Sequence, residues 1–164
     1  MKKNFLWAIL ICAGFMFMGC PYHSTVAIDT PSVSIDTKLI GKWQKRTSDD
    51  DTYVITKKDD YSYDILDKEK SPSAGSEPKK YTAFLSVVNG TKFLNLYDPS
   101  EDTKTYYFYK LDMNDETGGF SLSPVTEYIT ETFGTSDSLK TYFKANMGVS
   151  FFYEAKDEYI KVGK

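Results

Sequence analysis

The sequence has few of the residues that enzymes use most often for catalysis and metal binding. Its 164 residues include two cysteines, Cys12 and Cys20, and one histidine, His23. All three precede the first strand-like segment, whereas a general base or a metal ligand must be held rigidly beside its partners. We therefore expect no Ser-His-Asp catalysis, no catalytic cysteine, no histidine or thiolate metal site and no cofactor.

The sequence also lacks concentrated positive charge. Arg46 is the only arginine, and the lysines are scattered along the chain. Proteins that bind nucleic acid usually cluster basic residues on one face or one helix. No glycine-rich phosphate loop and no HExxH motif occurs either. These absences argue against nucleic acid as a partner and against nucleotide or metalloprotease chemistry.

Acidic residues are more numerous, 23 against 20 basic ones, but they form no recognisable site. Asp49 to Asp51 and Asp59-Asp60 offer the clustered oxygens that calcium prefers, without the spacing of an EF-hand. Hairpin turns are themselves rich in aspartate, so we interpret both runs as turns. No carboxylate pair stands out for glycoside hydrolysis. Calcium binding and hydrolysis stay minor alternatives, and we expect a protein that is not an enzyme.

The first twenty residues have the three-part layout of a secretory signal. Lys2 and Lys3 give a positive start, residues 5–18 are uncharged and apolar, and Gly19 precedes Cys20. This order is typical of a signal peptide. As a membrane-spanning helix, the 14 apolar residues would rise about 21 Å, short of the roughly 30 Å hydrocarbon core. The length favours a signal over a membrane span.

A small residue followed by cysteine resembles the cleavage site of bacterial lipoproteins. The resemblance implies that residues 1–19 are a lipoprotein signal peptide and that Cys20 is acylated, so that the membrane is a partner through a lipid anchor. Two or more acyl chains make a lasting anchor. Pro21 is not the aspartate that retains lipoproteins in the inner membrane of enteric bacteria, which favours the outer membrane of the cell envelope, on either face. A plain secretory signal is the alternative.

Residues 20–38 mix serine, threonine and proline with isolated apolar residues. We interpret this segment as a tether between the anchor and a folded domain at 39–164. Eighteen coil residues would reach about 23 Å r.m.s.. Alternatively, residues 32–35 add to a sheet edge. After cleavage Cys20 would be the only cysteine left, so the domain would have no disulfide.

From residue 39 onward, short apolar and aromatic segments alternate with turn residues, which is typical of antiparallel strands. The clearest hairpin signal is Asn89-Gly90, because these residues readily adopt the positive φ angles of a type I′ turn. Residues 58–60 and 115–118 indicate two further hairpins. The predicted strands are 39–46, 52–58, 60–67, 79–88, 91–98, 104–113, 118–122, 149–155 and 157–163.

Two short helices are predicted between the seventh and eighth strands. The first runs from a Ser123-Pro124 start signal to Gly134, with apolar residues at i, i+3, i+4 and i+8. Serine caps helices, and proline fits the first helical position. The second occupies residues 135–148 with the same spacing. Each apolar stripe is about one face wide, so we expect both helices to pack against the sheet or over a barrel end.

About nine closely spaced antiparallel strands predict a closed or nearly closed barrel. Gly41-Lys42-Trp43, at the start of the first strand, resembles the Gly-x-Trp signature of lipocalin-like (calycin) barrels. The whole layout resembles small lipocalin-like lipoproteins of Gram-negative bacteria. This implies a mainly β, antiparallel up-and-down lipocalin-like barrel of about 8–9 strands, with two short helices before the last hairpin. It also implies that Trp43 and Gly41 pack at one barrel end.

Tyrosine is abundant, with 13 copies. Its apolar body and polar tip suit contact with a small molecule, and they also suit packing inside a small barrel. In the segment 106–109, Tyr107 and Tyr109 share one face of a strand, and Tyr106 and Phe108 the other. One of these faces looks into the barrel, and the sequence leaves the choice open. The candidate ligand-lining residues are Tyr107, Tyr109, Tyr106, Phe108, Phe93 and Tyr97, with Leu94 and Leu96 as the alternative face of the neighbouring strand.

Two functional hypotheses follow from this pattern. The first is a non-catalytic, envelope-anchored module that binds a small apolar or glycan-like ligand in the barrel mouth. The second is a structural or accessory protein that contacts another envelope protein. An open cavity with a few convergent polar groups favours the first hypothesis. A filled barrel with a large exposed apolar patch favours the second.

Overall fold

The computed structural model describes residues 21–47, 51–69 and 78–163. The predicted signal peptide, its Cys20, and Asp49 and Asp50 of the first acidic run lie outside these residues. Within the described residues, no helix is both long enough and apolar enough to cross a bilayer.

The described chain folds into nine antiparallel strands and one α-helix, α1 (Ser136–Asn146). The strands are β1 (His23–Ser24), β2 (Gly41–Lys45), β3 (Asp51–Lys57), β4 (Ser62–Glu69), β5 (Lys79–Val88), β6 (Thr91–Tyr97), β7 (Tyr106–Asn114), β8 (Gly119–Pro124) and β9 (Asp157–Lys161). From β2 to β9 each strand pairs with the next, and β9 closes the ring by also pairing with β2. The prediction of a mainly β, up-and-down antiparallel barrel is therefore confirmed, with eight strands in the ring and β1 added beside β7.

The predicted hairpins form because their turn residues suit the local backbone. Asn89 and Gly90 join β5 to β6 with φ angles of 47° and 81°. Between β3 and β4, the Asp59 carboxylate accepts hydrogen bonds from the Tyr61 backbone N–H and the Ser62 hydroxyl, at 2.8 and 2.6 Å. Such bonds between a side chain and the local backbone are what favour aspartate in turns. The interpretation of Asp59-Asp60 as turn residues is thus correct.

Alternation along the strands sends side chains into two separate hydrophobic cores. The inner core lies inside the barrel and contains Leu39, Trp43, Ile55, Tyr63, Ile65, Ala83, Leu85, Leu94, Leu111 and Phe120. The outer core lies on the outside of the barrel wall, beneath α1, and contains Tyr22, Ile28, Val88, Phe93, Phe108, Val125, Ile129, Leu139, Phe143 and Phe152. Helix α1 supplies the centre of the outer core, since the Phe143 ring lies 5.3 Å from Phe93 and 5.4 Å from Phe108.

Only the second of the two predicted helices forms. Helix α1 begins after Thr135, whose hydroxyl oxygen accepts a hydrogen bond from the Ser138 backbone N–H at 3.2 Å. The first predicted helix is wrong, because Pro124 is the last residue of β8 and Val125 continues in extended form. The Val125 N–H donates to the Phe108 carbonyl at 2.9 Å. Val125 and Ile129 of the predicted apolar stripe are buried in the outer core without forming a helix, whereas Tyr128 is exposed.

The predicted last hairpin is also wrong. Of its two strands only β9 forms, and the preceding residues make a 3-10 turn, Ser150–Phe152, followed by a single bridge between Tyr153 and Val125. The ring of Phe152 is buried against Phe143 at 5.2 Å. Burial of this aromatic side chain in the outer core replaces the expected pairing of neighbouring strands.

The tether interpretation of residues 20–38 fails for the part that the structure describes. Strand β1 pairs with β7, and the Tyr22 ring stacks on Phe108 at 5.9 Å. Ile28 is fully buried, and its N–H donates to the buried Asn95 side chain at 3.0 Å. Apolar residues of this segment thus fit sites on the barrel wall, so the folded part begins before the expected boundary at residue 39.

The end of the same segment closes one end of the barrel. A 3-10 turn, Thr37–Leu39, places Leu39 in the inner core. The alternative prediction, that residues 32–35 add a strand to a sheet edge, is wrong: Ile35 makes a backbone hydrogen bond to Asp60, at 3.0 Å, and no strand forms there. Residues 36–39 thus cover this end of the barrel, and we call them the plug. The chain continues from the plug directly into β2.

Candidate functional site

The interior of the barrel contains a cavity of about 210 Å³. It is lined by Leu39, Tyr53, Ile55, Tyr63, Ile65, Asp67, Tyr81, Leu94, Leu96, Tyr109, Leu111, Phe120, Leu122 and Tyr159. Pockets for drug-sized ligands usually hold about 300 to 1,000 Å³. The barrel therefore offers room for one smaller molecule.

Trp43 packs in the inner core beside two residues that line the cavity, Leu39 and Phe120. Its side chain is fully buried and packs edge-on against Phe120, with ring centroids 4.7 Å apart. The indole N–H donates to the Leu39 carbonyl at 2.7 Å, which satisfies the one polar group of this large side chain. The Lys161 ammonium also lies over the indole, 5.4 Å from the ring centroid. The signature tryptophan thus has apolar, hydrogen-bonding and cationic contacts.

Gly41 allows these contacts because a larger residue would fit its position poorly. Its φ angle is 151°, and a Cβ atom there would lie 2.7 Å from Cε of Lys161. A side chain would therefore both strain the backbone and push Lys161 off the tryptophan ring. This is a local physical reason for a glycine two residues before Trp43.

Polar contacts fix the plug across the closed end. The Asp36 carboxylate accepts hydrogen bonds from the Lys38 backbone N–H and the Lys92 ammonium, both at 3.1 Å. The backbone of Asp36 is also hydrogen-bonded to the Tyr63 hydroxyl. Burial raises the pKa of Tyr63 to about 12, so this phenol stays neutral at physiological pH.

Four tyrosines from alternate strands also line the cavity. In an up-and-down barrel alternate strands begin at the same end, and β3, β5, β7 and β9 each place a tyrosine near their start. We call these four, Tyr53, Tyr81, Tyr109 and Tyr159, the mouth tyrosines; all line the cavity. Tyr53 and Tyr159 meet at 81° with centroids 5.6 Å apart, and Tyr159 stacks on Phe120 at 4.9 Å.

Two carboxylates accompany the mouth tyrosines. Asp67 lines the cavity and lies directly across from Tyr53 in the pairing of β3 with β4. Asp157, at the start of β9, forms an ion pair with Lys45 at 2.8 Å, in which both side chains are about one-third exposed. Lys45 thus offsets the charge of Asp157, while no basic side chain is among the described residues that line the cavity.

Burial raises the pKa of three of the mouth tyrosines, Tyr81, Tyr109 and Tyr159. Burial is the main cause that raises the pKa of Tyr109 to about 12. Burial, followed by the nearby Tyr53, raises the pKa of Tyr159 above its usual range, and burial followed by the Asp67 charge raises the pKa of Tyr81. At neutral pH these phenols therefore carry their protons and present uncharged rings and hydroxyl groups to the cavity.

The structure resolves the choice of strand face that the sequence left open. Tyr109 lines the cavity, as do Leu94 and Leu96 on β6. Tyr107 shares the face of Tyr109 by strand alternation, and its ring lies 6.0 Å from that of His23. The described cavity lining includes Tyr109 without Tyr107. The face of Tyr109 is therefore the inward one, and Tyr107 lies on it beyond the cavity.

The other candidate lining residues lie outside the barrel, so their assignment to the ligand site is corrected. Phe93 and Phe108 belong to the outer core. Tyr97 and Tyr106 pack against each other at 5.3 Å on the outer surface of the wall. Both faces of β6 and β7 are apolar because the barrel is covered there, and alternation alone does not distinguish the inside from the outside.

Sequence reasoning missed three of the mouth tyrosines and Asp67 as lining residues. A usable signal was present, since Tyr53, Tyr81 and Tyr159 are each the third residue of a strand that begins at the same end of the barrel. Recognising this shared position requires that the strand boundaries predicted from the sequence be correct to within one residue. An error of one position moves every side chain to the other face.

The acidic turns give no support to the calcium alternative. Asp59 is engaged in its own turn, and Asp60 pairs with Lys57 at 2.6 Å. Among the residues that the structure describes, no group of three histidine, cysteine, aspartate or glutamate side chains is arranged to hold a metal ion.

Comparison of the chain with family models, curated proteins and solved structures gives no match.

Proposed function

We propose that this protein is a non-catalytic, membrane-anchored binding protein of the lipocalin-like type, which holds one small and largely apolar ligand inside its barrel. The observation that carries the proposal is the cavity of about 210 Å³. Its lining combines aliphatic side chains with four tyrosines, Tyr53, Tyr81, Tyr109 and Tyr159. This combination of an apolar body with a few convergent polar groups is typical of small-molecule sites.

The aliphatic and the tyrosine side chains of the cavity lining would have different roles in binding. Ile55, Ile65, Leu94 and Leu111 line its walls with aliphatic surface, and burial of apolar ligand surface contributes about 25 cal/mol per Å². The phenol hydroxyl groups at the mouth would orient a polar group of the ligand. A few such polar contacts usually provide specificity, while the apolar walls provide most of the affinity.

The lipocalin-like character of the barrel is supported by its closure and by the Gly41-Lys42-Trp43 signature. The tryptophan packs at one end of the barrel beneath a cationic side chain from the last strand, Lys161. The eight-stranded antiparallel topology is compatible with this fold type. The likeness is one of architecture and of this short motif.

Membrane attachment through Cys20 is supported by the signal-like sequence that ends in Gly19-Cys20. Packing on the barrel begins at Tyr22, and two residues of extended chain span about 7 Å. An acylated Cys20 would therefore hold the barrel close to the bilayer, at the outer membrane by our proposal. Cys20→Ala should release the protein from the membrane fraction; a variant that stays bound and uncleaved would contradict the anchor.

The binding proposal is tested by filling the cavity. The thermal stability of the protein is measured against a panel of amphiphiles, glycans and calcium, of which we expect the small apolar molecules to stabilise it. Leu96→Trp, which adds volume on a cavity wall, should abolish this stabilisation. Val87→Trp is the matched control, because Val87 is exposed on the same sheet. Stabilisation by calcium alone, or equal ligand effects in both variants, would contradict the proposal.

A second candidate, an accessory protein that contacts another envelope protein, is favoured by one observation. Tyr128 and Phe151 are 77% and 73% exposed, and the hydrogen bond from the Thr126 N–H to the Phe152 carbonyl, at 3.0 Å, brings their segments together. A photo-crosslinker at position 151 should give a discrete adduct that Tyr128→Ser weakens. Unchanged crosslinking would remove the support for this role.

A further inference from the structure

Two aromatic side chains project into solvent from segments that lie side by side. Tyr128 is 77% exposed and Phe151 is 73% exposed. The other exposed large apolar side chains in the described part of the chain, Tyr61, Val87 and Ile160, are only 38 to 45% exposed. Single exposed apolar residues are ordinary on a protein surface, so what matters is whether the two most exposed ones share a surface.

The backbone places both side chains on one side of the outer core. Ile129 and Phe152, the residues that follow Tyr128 and Phe151, are buried in that core. The Thr126 N–H donates to the Phe152 carbonyl at 3.0 Å, and the Thr126 hydroxyl oxygen accepts from the Tyr128 N–H at 3.4 Å. Tyr128 and Phe151 are thus close to the same pair of hydrogen bonds, and we call them the aromatic surface.

The N-terminal end of the described chain reaches this surface. The Tyr22 N–H donates to the Val125 carbonyl at 2.9 Å, and the Tyr22 hydroxyl donates to the Glu131 carbonyl at 3.1 Å. Tyr128 lies midway along the chain between these two contacts. Cys20 precedes Tyr22 by two residues, which span about 7 Å of extended chain. An acyl anchor on Cys20 would therefore enter the bilayer beside the aromatic surface.

The charges of the two segments indicate which part of a bilayer this surface fits. Residues 125–131 include Glu127 and Glu131 and no basic residue, and residues 149–153 include no charged residue. Attraction to anionic lipid depends on clustered lysine and arginine. Phenylalanine instead favours the apolar side of the membrane interface, where tyrosine also places its ring while its hydroxyl group stays in water. The aromatic surface thus fits the interface of an uncharged bilayer.

We propose that Tyr128 and Phe151 insert into the interface of the bilayer that holds the acylated Cys20, so that the barrel has one fixed orientation on the membrane. This inference rests on the proposed anchor at Cys20 and adds the surface of the folded domain that contacts the lipid. The acyl chains supply the affinity, and the two aromatic side chains restrict rotation about the short connection. The same side chains support the accessory role described above, but their position beside the anchor favours lipid as their contact.

The experiment measures the contact of a tryptophan at this surface with lipid. The protein without residues 1–19 keeps Cys20 as its only cysteine, which is coupled to a maleimide lipid in phosphatidylcholine vesicles. On coupling, the emission of Phe151→Trp should shift to shorter wavelength. Brominated lipid should quench it, more strongly with bromine near the head groups than near the chain ends. Trp43 is fully buried, and the emission of the coupled parent protein is subtracted.

Ile160→Trp is the matched control, because Ile160 is 40% exposed and lies away from the anchor. The pairing of β8 with β9 places residue 160 beside the start of β8, whereas Val125 follows the end of that strand. Strand β8 has 6 residues, which span about 20 Å. Tryptophan at position 160 should therefore keep its emission. Addition of Tyr128→Ser to Phe151→Trp should reduce the quenching, and circular dichroism establishes that each variant is folded.

The outcomes separate this inference from the anchor on which it rests. Equal quenching at positions 151 and 160, or none at 151, would overturn the inference and leave the anchor. Quenching that requires anionic phosphatidylglycerol, or that Tyr128→Ser leaves unchanged, would also overturn it. A discrete protein adduct of a crosslinker at position 151, without quenching, would assign the surface to a partner protein instead. Retention of Cys20→Ala in the membrane fraction of cells would contradict the anchor itself, whatever the result with coupled vesicles.

Discussion

The inner and outer cores of this protein are built from the same strands but differ in how they are packed. In the outer core, aromatic rings interlock: Phe143 lies 5.2 to 5.4 Å from the rings of Phe93, Phe108 and Phe152. The inner core keeps a cavity of about 210 Å³ and carries tyrosine hydroxyl groups at one end. The comparison indicates that the outer core stabilises the barrel and thereby allows the inner core to remain partly open.

Trp43 is the inner-core residue that should behave most like the tightly packed outer core. It is fully buried and its indole N–H is hydrogen-bonded. We expect Trp43→Ala to lower the free energy of unfolding by about 3–5 kcal/mol, measured by chemical denaturation. A loss near zero, or a red-shifted emission of Trp43 in the protein without its signal, would contradict its burial at the barrel end.

The substitution Phe143→Ala tests the packing of the outer core, as Trp43→Ala tests that of the inner core. Its side chain is fully buried among three other phenylalanine rings. We expect Phe143→Ala to cost about 3–4 kcal/mol of unfolding free energy, because the surrounding rings relax only partly into the space it leaves. Ligand binding per folded molecule should not change. A variant of full stability would show that α1 does not support the barrel.

The contacts of the N-terminal segment show which parts of the fold are predictable from the sequence. The Asn89-Gly90 turn is predictable because a type I′ turn depends on two adjacent residues only. The packing of Ile28 against the barrel is not, since its partner Asn95 is 67 residues away. Asn95 can accept this hydrogen bond only after β6 has paired with its neighbours, so no local sequence pattern predicts the contact.

The candidate site is predictable only in part for a related reason. The strand pattern points to Tyr109, but period-two alternation assigns residues to two faces without saying which one looks inward. The segment after Ser123 has a genuine helical spacing of apolar residues, yet it forms no helix. Val125 is instead buried in extended chain through its contacts with Phe108 and Tyr153, and such contacts depend on the tertiary structure.

Asn95 links the N-terminal segment to the barrel wall through hydrogen bonds. Its side chain accepts from the Ile28 N–H at 3.0 Å and donates to the Ser86 hydroxyl at 2.9 Å, and both Ile28 and Asn95 are buried. Asn95→Ala leaves these groups unpaired, so we expect a loss of about 1–3 kcal/mol. Amide exchange at Ile28 should accelerate; unchanged exchange would contradict the attachment.

The buried tyrosines predict a loss of stability in alkali. Burial raises the pKa of Tyr109 to about 12, from 10.0. Below pH 10 both states are protonated; between about pH 10 and 12 the unfolded state releases the proton first, so stability falls by about 1.4 kcal/mol per pH unit for one such group. Tyr109→Phe should reduce this slope, as measured by denaturation across that range. An unchanged slope would contradict the burial.

Methyl NMR can locate a bound ligand in one core or the other. A small apolar probe, hexan-1-ol, is titrated into the protein while the methyl resonances of isoleucine and leucine are followed. We expect shifts for Ile65, Leu94 and Leu111, which line the cavity, and none for Ile28, Ile129 and Leu139 in the outer core. Shifts confined to the outer-core methyl groups, or an absence of shifts at saturating probe, would contradict the claim that the inner core is the binding site.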